Sequence, residues 1–350
     1  MAMIPRVNTR SPFFTQNVSS EDAFCHIYIW LGSLSSVPAT PTISLTKTAT
    51  NGASTFEIGE LMRDYIYQDS TYSSGTAWAR VDTGDNVLVG GSLVVSQSQL
   101  LLINEGFELH SGGLQTIFNL NSSLALGINS LVTTLYIPEG ETMKLPIYGN
   151  GRAGNVCTYQ IWLDGVAGAV VPIAGSEFSN AQFTHINVPS NATQVQVVVG
   201  ATTKTYTVSN GSCSKYDTKK LTFVNAQGTK QDLYFNMKSS EKMSISSDTY
   251  NRSLIDYRNL SIGNELHQIK KRVNNATINY VLNTDFVEEA YSDVMTELLL
   301  SEYVYLTQNG TTIPVNITDS SLERKTHLND KLIQFTVNIE AGTQYINQIR

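Results

Sequence analysis

The sequence predicts a mainly β protein: sandwich or tube-like sheet domains, each flanked by a single helix, with an immunoglobulin-like β-sandwich in the middle. Three observations predict it. Charged residues make up only 15% of the 350, while apolar content is an ordinary 41%. Ser, Thr, Asn and Gln fill the difference, which suits broad paired sheet surfaces. Runs of Val, Ile, Thr and Tyr are bounded by Gly, Pro and Asn turns. Helical periodicity is confined to two stretches. The 17 Tyr against 3 Trp point the same way. Apolar residues are spread evenly and patterned, which excludes disorder.

The length suits two or three domains. Residues 1–12 have few apolar anchors and read as an N-terminal arm. Residues 13–128 read as a β-rich domain with one short helix. Residues 24–31 and 42–47 alternate as strands, separated by Pro38 and Pro41. Ser54 and Glu57 form a capping-box pattern ahead of Ile58, Leu61, Met62, Tyr65 and Ile66 at helical spacing. Residues 77–81 and 86–95 return to strand character.

Residues 129–211 carry no helix signal. Short strands are expected at 131–137, 143–147, 156–163, 169–173, 183–188, 193–199 and 204–208. Turns such as Pro138-Glu139-Gly140, Asp164-Gly165 and Pro189-Ser190-Asn191 separate them. This spacing is that of a small immunoglobulin-like sandwich.

Residues 212–350 read as a second β-rich domain with one amphipathic helix. A hairpin is expected between 219–225 and 231–237, turning at Ala226-Gln227-Gly228. The helix is the stretch around which the domain is organised. Asp285 and Glu288 make a second capping box, and Val287, Tyr291, Val294 and Leu298 form one apolar stripe. Glu288, Glu289, Ser292, Asp293, Thr296 and Glu297 fall opposite, as a solvated face. Leu299 and Leu300 do not fit the stripe; either the helix ends there or they meet a second surface, and they are the candidate inter-subunit contacts. Strands are expected before the helix at 277–282 and after it at 303–307, 313–317 and 332–339, with a turn at Gln308-Asn309-Gly310. The two outer segments share one order of elements, strands then a helix then strands.

The net charge is −7, and Lys270-Lys271-Arg272 is the one basic run, read as a solvated strand end. No nucleic-acid partner is expected. The first six residues lack an apolar core, so no secretory signal is expected. The apolar stretch at 166–174 is interrupted by Gly and Pro and too short for membrane insertion.

Catalytic, cofactor-binding and metal-binding residues are all expected to be none. Cys25, Cys157 and Cys213 are an odd count without metal-ligand spacing. His26, His110, His185, His267 and His327 are scattered. Val89-Gly90-Gly91-Ser92 and the glycines of 149–154 lack the following Lys-Ser/Thr of a P-loop, and no nucleophile elbow is present. The Asn-x-Ser/Thr triplets at Asn17, Asn121, Asn191 and Asn251 reflect composition. A glycan-cleaving sandwich is the weakest alternative, since no acid/base pair can be nominated.

Several runs resemble structural proteins of tailed bacteriophages, especially those infecting Bacteroidota. They include Ser11-Pro12-Phe13-Phe14, Ile27-Tyr28-Ile29-Trp30 and Arg63-Asp64-Tyr65-Ile66 near the front. Toward the end they are Gln231-Asp232-Leu233-Tyr234-Phe235, Asn283-Thr284-Asp285-Phe286, Leu299-Leu300-Ser301-Glu302-Tyr303, Lys325-Thr326-His327-Leu328 and Ile346-Asn347-Gln348-Ile349-Arg350. The resemblance spans most of the chain. It implies a virion component, at the tail or baseplate, assembled in the bacterial cytoplasm. It implies an oligomeric ring or adaptor of distal-tail or hub type, a trimer or hexamer of itself, in contact with other tail proteins. A receptor-binding protein contacting host surface glycans is the alternative of a different class.

Overall fold

The structure, a computed structural model, describes residues 6–10, 12–32, 35–66, 77–107, 131–149, 157–172, 182–199, 202–210, 215–256, 258–262, 267–319, 321 and 332–343. The fold is mainly β, and each outer part carries one helix among these residues.

The first part begins with β1 (Arg6–Asn8), β2 (Phe14–Asn17), β3 (Ala23–Leu31), β4 (Ile43–Lys47), β5 (Ser54–Glu57) and α1 (Gly59–Arg63). It continues with β6 (Ala77–Asp85), the short β7 (Leu88–Val89) and β8 (Ser92–Leu93), and β9 (Gln97–Asn104). Five of these form one sheet in the order β1-β9-β6-β3-β4. Its core follows the two-residue strand period: Ala23, Cys25, Ile27 and Ile29 of β3 share one face with Ala77, Ala79 and Val81 of β6. Phe13, Phe56, Ile58 and Met62 cover that face.

Three expectations are corrected here. The expected arm is partly β1, paired in parallel with β9, and Val7 is fully buried. Ser54–Glu57 is not a capping box but β5, paired with β2. The helix starts at Gly59 behind Ile58, with no side-chain cap. Its short span leaves Leu61 and Tyr65 exposed, while Ile58 and Met62 reach the core. The expected strand at 86–95 is instead the β7–β8 hairpin turning at Gly90-Gly91.

The middle part matches its expected strands closely. They are β10 (Thr134–Tyr136), β11 (Thr142–Gly149), β12 (Cys157–Leu163), β13 (Val166–Ala167), β14 (Val171–Pro172), β15 (Gln182–Pro189), β16 (Ala192–Val199) and β17 (Thr202–Ser209). β11 pairs with β15, while β10, β17, β16, β12 and β13 form the other sheet, with β14 beside β12. β10 runs parallel to β17. Asp164 and Gly165 both have positive φ, as a two-residue turn between β12 and β13 requires.

The last part contains β18 (Lys219–Val224), β19 (Lys230–Phe235), β20 (Ser240–Asn251), β21 (Ile255–Asp256), β22 (Ser261–Ile262), β23 (Ile269–Asn283) and β24 (Val287–Glu288). Then come α2 (Tyr291–Leu299), β25 (Val304–Gln308), β26 (Thr311–Ile317), β27 (Leu332–Ile333) and β28 (Thr336–Ala341). Seven strands form an antiparallel sheet in the order β19-β18-β25-β26-β28-β23-β20. The expected hairpin at 226–228 and the turn at Asn309-Gly310 are both present. The two outer sheets differ in strand number and order despite the similar succession of elements.

A single hydrophobic core runs from the middle part into the last. Leu135, Leu145, Ile186, Val195 and Tyr206 belong to the same cluster as Phe223, Leu282, Val294, Leu298 and Val337. The first part has its own cluster. It meets the last at the β18–β19 turn, where the Phe107 N–H donates to the Ala226 carbonyl at 2.9 Å. Gly106 is required there, because a Cβ would lie 2.7 Å from that carbonyl oxygen. Arg10 and Arg63 both pair with Glu302 across the same junction.

Candidate functional site

The α2 region departs from its expected form. The helix begins at Tyr291 behind Ala290, again with no side-chain cap. Asp285 is not the cap; its Oδ1 accepts the N–H of Phe286. Val287 and Glu288 are strand, paired with β27. The apolar stripe is right, with Tyr291, Val294 and Leu298 buried. The solvated face is not: Ser292 and Glu297 are also buried. Glu297 Oε2 accepts the Ala226 N–H at 3.4 Å, tying the helix to the β18–β19 turn.

Leu299 ends the helix and Leu300 follows it as the C-cap. Leu299 is half-buried and lines a cavity of about 20 Å³ with Met295, Phe335 and Val337. That is room for about one water molecule. Leu300 is 44% exposed and is the one of the pair available for a contact outside the chain.

Glu288, read as plain solvated charge, is a clamp. Its Oε1 accepts the N–H groups of Thr133 and Thr134 at 3.0 and 3.1 Å. Its Oε2 accepts their hydroxyls at 2.9 and 3.2 Å. The Glu288 N–H in turn donates to the Tyr136 hydroxyl. Beside it, the Tyr291 hydroxyl donates to the Thr134 carbonyl, and the Tyr136 and Tyr291 rings meet edge to face at 5.2 Å. Burial pushes the Tyr291 phenol well above its ordinary range, so it stays a hydrogen-bond donor.

A second seam joins β11 to the β18–β19 hairpin. Asp232 is buried and accepts from the Thr222 hydroxyl at 2.7 Å and from the Lys144 N–H at 3.3 Å. Lys220 stands 4.0 Å away. The Tyr234 hydroxyl donates to the Thr142 carbonyl. The recess between these strands and Tyr291 encloses only about 10 Å³. These buried polar groups fasten strands to one another.

The three described histidines are not brought together. His26 packs against the Phe24 ring at 4.8 Å, His185 is half-buried and His267 is exposed. His110 and His327 lie outside the described residues, as does Cys213. Among the described residues no group of three or more His, Cys, Asp or Glu is placed to hold a metal ion. Cys25 is buried, and burial with nearby Asp82 pushes its thiol up to about 12, so it stays protonated. No helix among the described residues is long and apolar enough to cross a membrane.

The surface carries more information than the interior. β4 and β20 end their sheets, and no strand pairs with their outer edges among the described residues. The opposite ends, β1 and β19, consist mostly of buried residues. Three exposed apolar tracts stand out. The β7–β8 hairpin exposes Val87, Leu88, Val89, Val94 and Val95; the β12–β14 edge exposes Leu163, Val166, Val170 and Val171; and β20 exposes Met243, Ile245 and Tyr250. The basic run Lys270-Lys271-Arg272 lies exposed in β23. β20 has no strong pattern in sequence because Ser and Thr separate its few apolar residues. No protein-family model and no curated protein matches this chain.

Proposed function

We propose that this chain is a structural protein of a bacteriophage virion, an oligomeric ring or adaptor component of the tail or baseplate. The observation that carries the reading is the pair of sheet edges, β4 and β20, at the ends of the five- and seven-stranded sheets, which no strand among the described residues pairs. An open edge is an aggregation hazard in a free monomer and is satisfied by symmetric assembly. The resemblance to tail proteins supplies the particle in which such an assembly works. Partners on this reading are further copies of the chain and other tail proteins. Outer sheets of five and seven strands in different orders are not two like units, which counts against a trimer whose copies each supply two similar domains to a sixfold tube.

The middle part, on this reading, is an immunoglobulin-like spacer. The strand order β12–β16–β17 and the separate β11–β15 pair, which share one core, support it, since they correspond to the C-F-G and B–E strands of that fold. Mass spectrometry and antibody-gold microscopy of particles purified from the phage encoding this chain test the proposal. The expected result is the chain in the particle with label at the tail; its absence from washed particles overturns it.

A second reading, a protein that binds host surface glycans, draws on the exposed strip from Leu163 to Val171, with the half-buried Trp162 beside it. Binding of the full chain to a glycan array, lost on Trp162→Ala, would favour it. No catalytic role is part of either reading.

A further inference from the structure

β20 is the last strand of the seven-stranded sheet. Its neighbour β23 is backed by β28 only from Asn279 to Asn283. The pairing of β20 with β23 nevertheless continues out to Asn251 and Ile269. The stretch 244–251 is therefore half of a two-stranded ribbon reaching roughly 25 Å past the sheet, at about 3.3 Å per residue. Every residue of β20 except Ser247 is exposed, Ile245 at 63%. A two-stranded ribbon alone in water is marginal and gains stability from a third strand.

The charges on β20 indicate which strand that is. Lys242 and Asp248 stand three residues either side of Ile245. An antiparallel copy of the same strand, centred on Ile245, puts Lys242 opposite Asp248 twice. The other facing pairs within β20 are Ser240 with Tyr250, Glu241 with Thr249, Met243 with Ser247, Ser244 with Ser246, and Ile245 with itself. Within the strand no like charges meet; Lys238 and Arg252 face each other only beyond its ends. The strand period places Met243 and Ile245 on one face, so the two copies gather four apolar side chains there. A two-residue slip in either direction puts Lys242 opposite Ser246 or Tyr250 and breaks both ion pairs, so the register is specified. An edge lysine ordinarily guards against pairing, but here an acid at the mirror-image position answers it.

We infer that two copies of this chain pair β20 to β20, antiparallel, about a two-fold axis at Ile245. The inference goes beyond the virion assignment and does not depend on it. A six-copy ring built as three pairs would contain this contact alongside a second one.

Charge reversal on the full chain tests it. Sedimentation velocity should show a parent dimer, or even multiples of it, at micromolar concentration. Lys242→Asp and Asp248→Lys should each raise the dissociation constant at least tenfold, and the double reversal should restore it. Ile245→Cys should give an interchain disulfide on mild oxidation that the parent does not form. Unchanged thermal midpoints under conditions where the chain is monomeric will confirm folding. A parent that stays monomeric, single reversals without effect, or a double reversal that fails to restore association would overturn the inference. A chain present in virions whose assembly ignores both reversals would sink this contact and leave the virion reading intact.

Discussion

Glu288 serves two parts of the molecule with one carboxylate. It caps the N–H and hydroxyl groups of Thr133 and Thr134 at the start of β10, while its own backbone sits in β24. Hydrogen bonds to a charged group contribute about 1.5–3 kcal/mol when shielded, and Glu288 is only half-buried. Glu288→Gln turns one acceptor into a donor, so a loss of about 1–2 kcal/mol is expected in urea unfolding; an unmoved midpoint would show the bonds have no net value. His185 on β15 gives the pH counterpart. Burial is the main cause of its lowered pKa, nearby Lys144 adds to it, and Asp232 opposes both. The folded chain therefore resists protonating this ring, whereas the unfolded chain takes the proton near the ordinary value of 6.5. Stability should be complete above about pH 6.5 and fall as the pH drops through that value toward the folded pKa. His185→Gln should flatten that part of the curve in unfolding experiments run between about pH 8 and pH 5.

At the scale of elements, legibility followed the physics of each signal. Strands of the middle part were readable because alternation and turn residues act locally: Tyr206 and Val208 are buried while Thr203, Thr205 and Thr207 are exposed. Helix starts were misread for one reason in both cases. Ser54 with Glu57, and Asp285 with Glu288, have capping chemistry, but each pair lies in or beside a short strand whose partner is distant in sequence. Tertiary pairing outweighed a local cap worth about 1 kcal/mol. The burial of Ser292 and Glu297 was hidden similarly, because the β18–β19 turn that covers Glu297 lies some seventy residues earlier. The two leucine positions separate packing from assembly. Leu298→Ala removes a fully buried side chain and should cost about 2–5 kcal/mol of stability. Leu300→Asp changes an exposed C-cap residue, and its effect on monomer stability should stay within about 0.5 kcal/mol. If Leu300 lies between copies, the same change should lower the oligomer fraction in mass photometry; an unaltered distribution removes it from the interface.

For the whole molecule, the energetic boundaries differ from those that strand spacing suggests. Segment spacing marks off residues 129–211, but one apolar core crosses from that segment into the last part of the chain. Glu288 and Tyr291 at one seam, and Asp232 and Tyr234 at the other, hydrogen-bond across the boundary between those segments. Groups that share a core lose it together, so residues 131–343 should unfold in a single transition. Unfolding enthalpy runs at about 0.7 kcal/mol per residue near 60 °C. A joint unit of roughly 200 residues would then absorb on the order of 140 kcal/mol, against about 55 for an 80-residue sandwich melting alone. Scanning calorimetry separates these values easily. The van't Hoff enthalpy of the main transition should match the larger figure. Glu288→Gln should shift that transition as a whole without splitting it. The first part, with its separate core and its contact at Gly106, Phe107 and Glu302, has the means to melt separately. Gly106→Ala, by forcing a Cβ against the Ala226 carbonyl, should move the two melts further apart. A separate transition of about 55 kcal/mol that survives in the isolated 129–211 segment would mean that the shared core contributes little across the seam.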